Sequence, residues 1–401
     1  MTDTDGPAAD EEKLFTGDVG RLSLTFGVGV LTLNAGRQAI SPLLPTIIAD
    51  LGITPSQAGM ALTAMGAAFA AVQYVSGRAT DELSRKAVLV PSLAVVCLGL
   101  VLLSVTTSYP LLVASTTVIG LGAGAYVISM RISLSDLFVD RRGEAIGLNT
   151  AAGQLGNVTA AGLAVATIAV ATWRTAFLPV AAVLALVVVA LHAWGHDTYS
   201  VGRIDLDVGG TFRRILVMPH IRWLLLAYAL VIFTWQGVVG FLPTLLQVDK
   251  GLSPTLASGG FALLFAVGMV VQPFGGRLSD RFSRIGVAGG ALVVGTLGVG
   301  LLVTSSSTVF VGAGVALLAA GMMTFPPVTQ AYLLDLFPAS SMGGDFGAFR
   351  TLYKLLASLG PTYVGLVAER ASYTVAFGGF GVCLLTSAAI LLVLTSGRGP
   401  G

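Results

Sequence analysis

Gln73–Tyr74–Val75–Ser76–Gly77–Arg78–Ala79–Thr80–Asp81–Glu82–Leu83–Ser84–Arg85 is written a second time as Gln272–Pro273–Phe274–Gly275–Gly276–Arg277–Leu278–Ser279–Asp280–Arg281–Phe282–Ser283–Arg284. The copies stand 199 residues apart, as 272 against 73 and 284 against 85 show. Each is a short charged turn set between two apolar runs. The duplication spreads outward at the same offset. Asp50–Leu51–Gly52–Ile53–Thr54–Pro55 returns as Asp249–Lys250–Gly251–Leu252–Ser253–Pro254, and Leu134–Ser135–Asp136–Leu137–Phe138 as Leu333–Leu334–Asp335–Leu336–Phe337. The chain therefore reads as two related halves.

Composition places both halves in lipid. Of 401 residues, 55% are hydrophobic and only 10% charged, against roughly 25% charged in soluble domains. So few charges do not cover a water-facing surface. Twelve apolar stretches are each long enough to cross ~30 Å of hydrocarbon as a helix. They run over 20–47, 56–78, 87–107, 110–137, 143–171, 174–194, 221–247, 254–277, 285–304, 308–337, 343–368 and 372–396. The expected architecture is an all-α integral membrane protein of two pseudo-symmetric six-helix halves, 20–194 and 221–396. A polar linker at 195–220 joins them. An acidic tail at 1–19 and a short tail at 397–401 flank them. The stretch 212–218 reads either as a surface helix with Arg213 and Arg214 at headgroup level or as plain loop.

Lysine and arginine crowd one set of loops: Arg78, Arg85, Lys86, Arg141, Arg142, Arg203, Arg213, Arg214, Arg277, Arg281 and Arg284. By the positive-inside rule both termini are expected in the cytoplasm, with the chain multi-pass in the cell membrane. The first residues carry Asp3, Asp5, Asp10, Glu11 and Glu12, the reverse of a signal peptide's basic start. A net charge of +2 without a basic run gives no basis for nucleic-acid binding. Cys97 and Cys383 lie alone in apolar runs, so neither metal nor redox work is expected of them. No nucleophile–base pair, metal cluster or phosphate loop appears. Neither an enzyme nor a cofactor is expected, and energy is expected from gradients rather than ATP.

The turn resembles the signature between helices 2 and 3 of the major facilitator superfamily. It supplies Gly77, Asp81, Arg85 and Lys86, and its second copy Gly276, Asp280 and Arg284. Two copies at the right helices of a twelve-helix chain make the match specific over about residues 20–396. The resemblance implies a parallel repeat about an axis along the membrane normal. It also implies alternating access through a central cavity lined by helices 1, 4, 7 and 10. In such proteins the Asp meets the opposite half and the Arg pairs with an acid at the end of helix 4. The matching gate here is Asp81, Arg85 and Asp136, with Asp280, Arg284 and Asp335 in the second half. Gly77 and Gly276 are expected to admit a close backbone approach. The plainer reading is that these charges only set topology. Asn157 stands where proton-driven antiporters often show Pro, which argues against antiport.

An ionisable residue inside a span costs on the order of 2.5–3.5 kcal/mol by insertion scales and points to function by default. Arg37 lies within the first span, and Asn34 and Ser41 share its face at helical spacing. It aligns with Gln236 in the seventh span, and Arg131 with Gln330 in the tenth. Lys354 lies in the eleventh span, one turn after Arg350. The expected substrate-binding set is Arg37, Asn34, Gln236, Tyr126, Arg131, Gln330 and Lys354. Each has a bland alternative: snorkelling for the cations, an ion pair with Asp136 for Arg131, and helix-packing hydrogen bonds for the neutral groups. Asp and Glu occur only near the ends of spans. The buried cations thus lack an internal counter-charge, which an anionic substrate supplies. The reading is a monomeric secondary transporter of a small organic anion, with a proton or counter-solute as coupling partner. Its rivals are proton-coupled efflux of hydrophobic or drug-like compounds and a transporter-like receptor without flux.

Overall fold

The computed structural model describes residues 16–194, 219–336 and 342–396, without the side chains at 78, 81, 82, 219, 220, 280, 331, 334–336 and 342–346. The tail at 1–15, nearly all of the linker and the last five residues lie outside this set. So does the surface helix considered at 212–218.

In chain order the helices are α1 (Gly17–Leu51), α2 (Pro55–Glu82), α3 (Arg85–Ser104), α4 (Tyr109–Leu137), α5 (Arg142–Val170) and α6 (Phe177–Trp194), with a 3-10 turn (Trp173–Ala176) before α6. The second half holds α7 (Pro219–Val248), α8 (Pro254–Arg281), α9 (Arg284–Thr304), α10 (Thr308–Leu336), α11 (Met342–Ala357), α12 (Gly360–Arg370) and α13 (Tyr373–Ser396). Among the described residues, ten helices are long and apolar enough to cross a membrane. The long α1 and the α11–α12 pair complete twelve crossings. Expected as one run over 343–368, the eleventh span is instead broken. Proline at the start of a helix has no N–H to give, and Pro361 with Gly360 starts α12 afresh.

The repeated sequence is repeated helix punctuation. Gly52 and Gly251 both take the left-handed conformation, at φ 58° and 67°, where a side chain would be strained. Thr54 and Ser253 cap α2 and α8 by accepting the Gln57 and Leu256 amides at 3.2 and 3.3 Å. A proline opens each helix. Gln57 closes the first cap reciprocally, accepting the Thr54 N–H at 2.9 Å. In the duplicated turn, Ser84 and Ser283 accept the Ala87 and Gly286 amides, each at 3.3 Å. These caps satisfy orphan helix donors where the chain leaves the lipid.

Packing inside each half is close because glycine permits it. A Cβ at Gly120 would sit 2.2 Å from the Met65 carbonyl oxygen, and one at Gly124 2.4 Å from that of Phe69, both on α2. Between them Gly122 faces α3, at 2.5 Å from the Ser92 carbonyl. Gly298 and Gly321 do the same for α9 and α10. Leu186, Val270, Leu297, Val382 and Val393 stay exposed on the outside, as a lipid-facing surface requires.

The halves meet where α2 packs along α11 and α12, α5 along α8, and α1 along α7. A Cβ on Gly59 would lie 2.4 Å from the Pro361 oxygen, and one on Gly365 2.3 Å from that of Pro55. The hydroxyls of Thr63 and Thr362 are 2.7 Å apart, and the Ser56 N–H donates to Glu369 at 3.3 Å. These contacts run from the face opposite the termini, the far face, down to Lys354 and Gln73. The halves are thus joined at the far face along the α2–α12 seam. At the terminal face no such close approach is found among the described residues: a Cβ on Gly276 meets none of them within 4 Å, and one on Gly77 meets Ile128 at 3.8 Å.

Two outcomes are expected. Gly120→Val overpacks α2 against α4 and costs about 1–3 kcal/mol of stability, read by unfolding of the purified protein in detergent. Thr63→Cys with Thr362→Cys, in a chain with Cys97→Ala and Cys383→Ala, forms a disulfide on oxidation because the two side chains already touch. Solute flux in vesicles then stops and returns with reductant; unchanged flux would show that this seam need not open.

Candidate substrate cavity

A cavity of about 290 Å³ lies between the halves, lined on one side by Asn34, Arg37, Gln38, Gly66, Phe69, Gln154 and Asn157. The other side is Ile232, Trp235, Gln236, Phe265, Met322, Met323, Pro326 and Lys354. Helix α1 is oriented by its small residues. Gly36 packs on Val180 and Leu100, and Gly156 of α5 lies against the Leu31 carbonyl. The Asn34 side-chain N–H donates to the Gly153 carbonyl at 3.0 Å. With those positions turned to α3, α5 and α6, Arg37 is left facing the middle. Ser41, on the same sequence-derived face, is buried but does not line the cavity.

Arg37 and Lys354 converge on one aromatic ring. The Arg37 guanidinium carbon is 4.9 Å from the Phe69 centroid, and the Lys354 ammonium 5.3 Å. A cation over a ring face gains about 0.5–2 kcal/mol, a fraction of what burial costs. Lys354 also donates to the Gln73 side-chain oxygen at 2.9 Å, crossing from α11 to α2. Arg37 Nε is buried without a hydrogen-bond partner. No carboxylate is among the described lining residues. The apolar remainder is aromatic and sulfur-rich, with Trp235 edge-on to Phe265 at 5.8 Å.

A second cavity of about 190 Å³ continues toward the terminal face. Tyr228, Phe325, Thr329, Gln330, Leu333, Arg350 and Tyr353 surround it, and Ile232, Pro326 and Lys354 are shared with the first. Tyr228 is held by donating to the Thr329 carbonyl at 2.8 Å and by packing on Phe325 and Phe349. The Tyr353 hydroxyl faces both Arg350 and Arg131.

The structure brings together Arg37, Asn34, Gln236 and Lys354 in the first cavity and Gln330 in the second. Arg131 stands behind, within electrostatic reach of Arg350 and Lys354. The rival pairing of Arg131 with Asp136 is not formed, because Asp136 is ion-paired with Arg85. Tyr126 is fully buried and lines neither cavity. Its hydroxyl occupies the space that a Cβ on Gly29 would take, 2.3 Å away. The Arg85–Asp136 pair is about two-fifths exposed at the terminal face. The side chains of Asp81, Asp280 and Asp335 lie outside the described residues. Phe69, Gln38, Gln154 and Arg350 complete the cavities without having been singled out as ligands. Of these, Arg350 carried the clearest signal, as an ionisable residue within the span 343–368.

Comparison with known proteins bears on this geometry. The family model described as the Major Facilitator Superfamily matches residues 26–361 and, again, 272–400. A probable sulfoacetate transporter of Cupriavidus necator is 26% identical over 378 residues, covering 85% of each chain. A probable nitrate transporter of Staphylococcus haemolyticus is 20% identical, covering 92% of this chain and 94% of its own. Among solved structures, a bacterial homologue of the human lysosomal transporter Spinster, inward-facing and occupied, superposes with a TM-score of 0.79. It covers 95% of this chain and 98% of its own at 16% identity, a likeness of fold. Twelve crossings in two packed halves, a cavity between them and a family match along nearly the whole chain agree: the chain belongs to the Major Facilitator Superfamily and is a secondary transporter.

Proposed function

We propose that this transporter carries a small organic anion across the cell membrane by alternating access, with Arg37 as its principal ligand. The observation that carries the reading is the unpartnered Arg37 Nε in a cavity whose described lining includes a second cation and no acid. A buried cation without a counter-charge is held only at a large cost. A carboxylate or sulfonate repays that cost with charge-assisted hydrogen bonds in the planar geometry a guanidinium offers. The names of the two relatives, a sulfoacetate and a nitrate transporter, concern anions as well.

With the termini in the cytoplasm, as the arginine-rich loops imply, the joined far face is the outside. The state described is then closed outward, and transport requires the Gly59–Pro361 seam to part while the terminal face closes. Arg85 with Asp136, together with Asp81, Asp280, Arg284 and Asp335, serves as the cytoplasmic gate of that cycle, a bistable contact that holds in one state only. A second reading, efflux of hydrophobic compounds, is favoured by one observation: Phe69, Trp235, Phe265, Met322 and Met323 make most of the first cavity apolar. The anion reading accounts for the cations and these side chains together if the solute has a small apolar body.

In proteoliposomes, uptake of carboxylates and sulfonates by the purified protein is expected to fall at least tenfold in Arg37→Gln and to recover in part in Arg37→Lys. Uptake unchanged in Arg37→Gln would overturn the assignment of Arg37. A thermal-shift screen separates the two readings, because a ligand at one hundred times its Kd stabilises the folded state by about 2.7 kcal/mol. Stabilisation by neutral lipophilic compounds alone would favour efflux. Binding without any flux would make the protein a receptor.

A further inference from the structure

We infer that the two cavities are two anion subsites in line, joined at Lys354, and that the solute is a divalent organic anion whose acid groups fill both. The inference rests on the anion reading above and goes beyond it. The first subsite is Arg37 and Lys354 over Phe69. The second is Arg350 beside Tyr353 and Gln330. Lys354 lines both, so a solute reaching from one to the other stays in contact with an ammonium. Arg350 and Lys354 are one turn apart on α11, and four residues of helix rise about 6 Å. That separation suits two acid groups joined by a short carbon chain.

Two independent observations call for charge in both places. Each cavity holds one arginine whose buried Nε has no hydrogen-bond partner: Arg37 in the first and Arg350 in the second. Lys354 also feels Arg350, Arg131 and Arg37 together. These four cations come from α1, α4 and α11, and no Asp or Glu is among the described residues lining either cavity. The Tyr353 side chain hydrogen-bonds Arg350 and lies within electrostatic reach of Arg131, and a phenol group brings neither a counter-charge. A monovalent solute bound at Arg37 leaves the Arg350 end uncompensated. A divalent one answers both ends, and the gap between them is bridged by Ile232 and Pro326, apolar walls fit for a methylene spacer.

The test is binding to the full-length protein in nanodiscs, by calorimetry. The probes are matched pairs: succinate against propionate, sulfoacetate against methanesulfonate, with succinamide as the uncharged control. Each dianion is expected to bind wild-type protein at least tenfold more tightly than its monoanion, and succinamide not at all. In Arg350→Gln the dianion-to-monoanion ratio is expected to collapse to within threefold. In Arg350→Lys, which keeps the charge, most of the ratio survives. The wild-type series needs no variant to fold. Equal binding of monoanions and dianions by wild-type protein, or a ratio untouched by Arg350→Gln, overturns the divalent inference and leaves the anion reading standing. Failure of every anion to bind overturns both.

Discussion

Helix α2 is approached from both sides by glycines, and its carbonyl oxygens occupy the space their side chains would take. Gly120 and Gly124 of α4 sit on the oxygens of Met65 and Phe69. Across the interface, Gly59 of α2 meets the oxygen of Pro361, and Gly365 meets that of Pro55. In lipid there is no hydrophobic effect to draw helices together, so association depends on such close backbone contact. Everything else hangs from this one helix. It carries Phe69 beneath the two cations and Gln73 under Lys354. One end of it is pinned to the opposite half by Thr63 and Ser56, and the other leads into the duplicated turn.

The halves share their scaffold and differ in their interior. Caps, left-handed glycines and helix-starting prolines recur at the same offset in both. The asparts at the far face recur in role too. Asp50 accepts from Trp173 and Arg174, and Asp249 accepts the Thr374 amide and hydroxyl; each ties the first helix of its half to the start of the sixth. The interior departs from that likeness. Gln73 accepts from Lys354, whereas its counterpart Gln272 donates to the Met323 sulfur at 3.3 Å. Cations from α1 of the first half and α11 of the second line the two cavities, with Arg131 of α4 behind them, while the matching positions Gln236 and Gln330 are neutral. The shell is symmetric between the halves, and the lining is not.

Much of this was legible without coordinates. Apolar length gave twelve spans, because hydrocarbon thickness sets a minimum and the chain meets it twelve times. The constant offset exposed the two halves. The scarcity of acids within the spans marked Arg37 and Lys354 as charges in want of a partner. What misled was local. Tyr126 looked like a ligand because it is polar and sits on a cavity-lining helix, yet its ring turns to Gly29. Arg131 and Asp136 are near in sequence, yet Asp136 is taken by Arg85 from a different helix.

Sequence by itself determined the kind of protein, since composition, span length and a repeat at constant offset are properties of the chain in any conformation. It also determined that positive charge would be buried. Only the tertiary structure decided which charges meet. Helix rotation is set by where glycine lets backbones touch, and that rotation brings Arg37 and Lys354 to the one Phe69 ring while turning Tyr126 toward Gly29. Tertiary structure likewise decided that Arg350 lines a second cavity, which shares Ile232, Pro326 and Lys354 with the first. In the duplicated turn it showed Ser84 and Ser283 working as helix caps, and among the described residues it brought no backbone within 4 Å of a Cβ at Gly77 or Gly276.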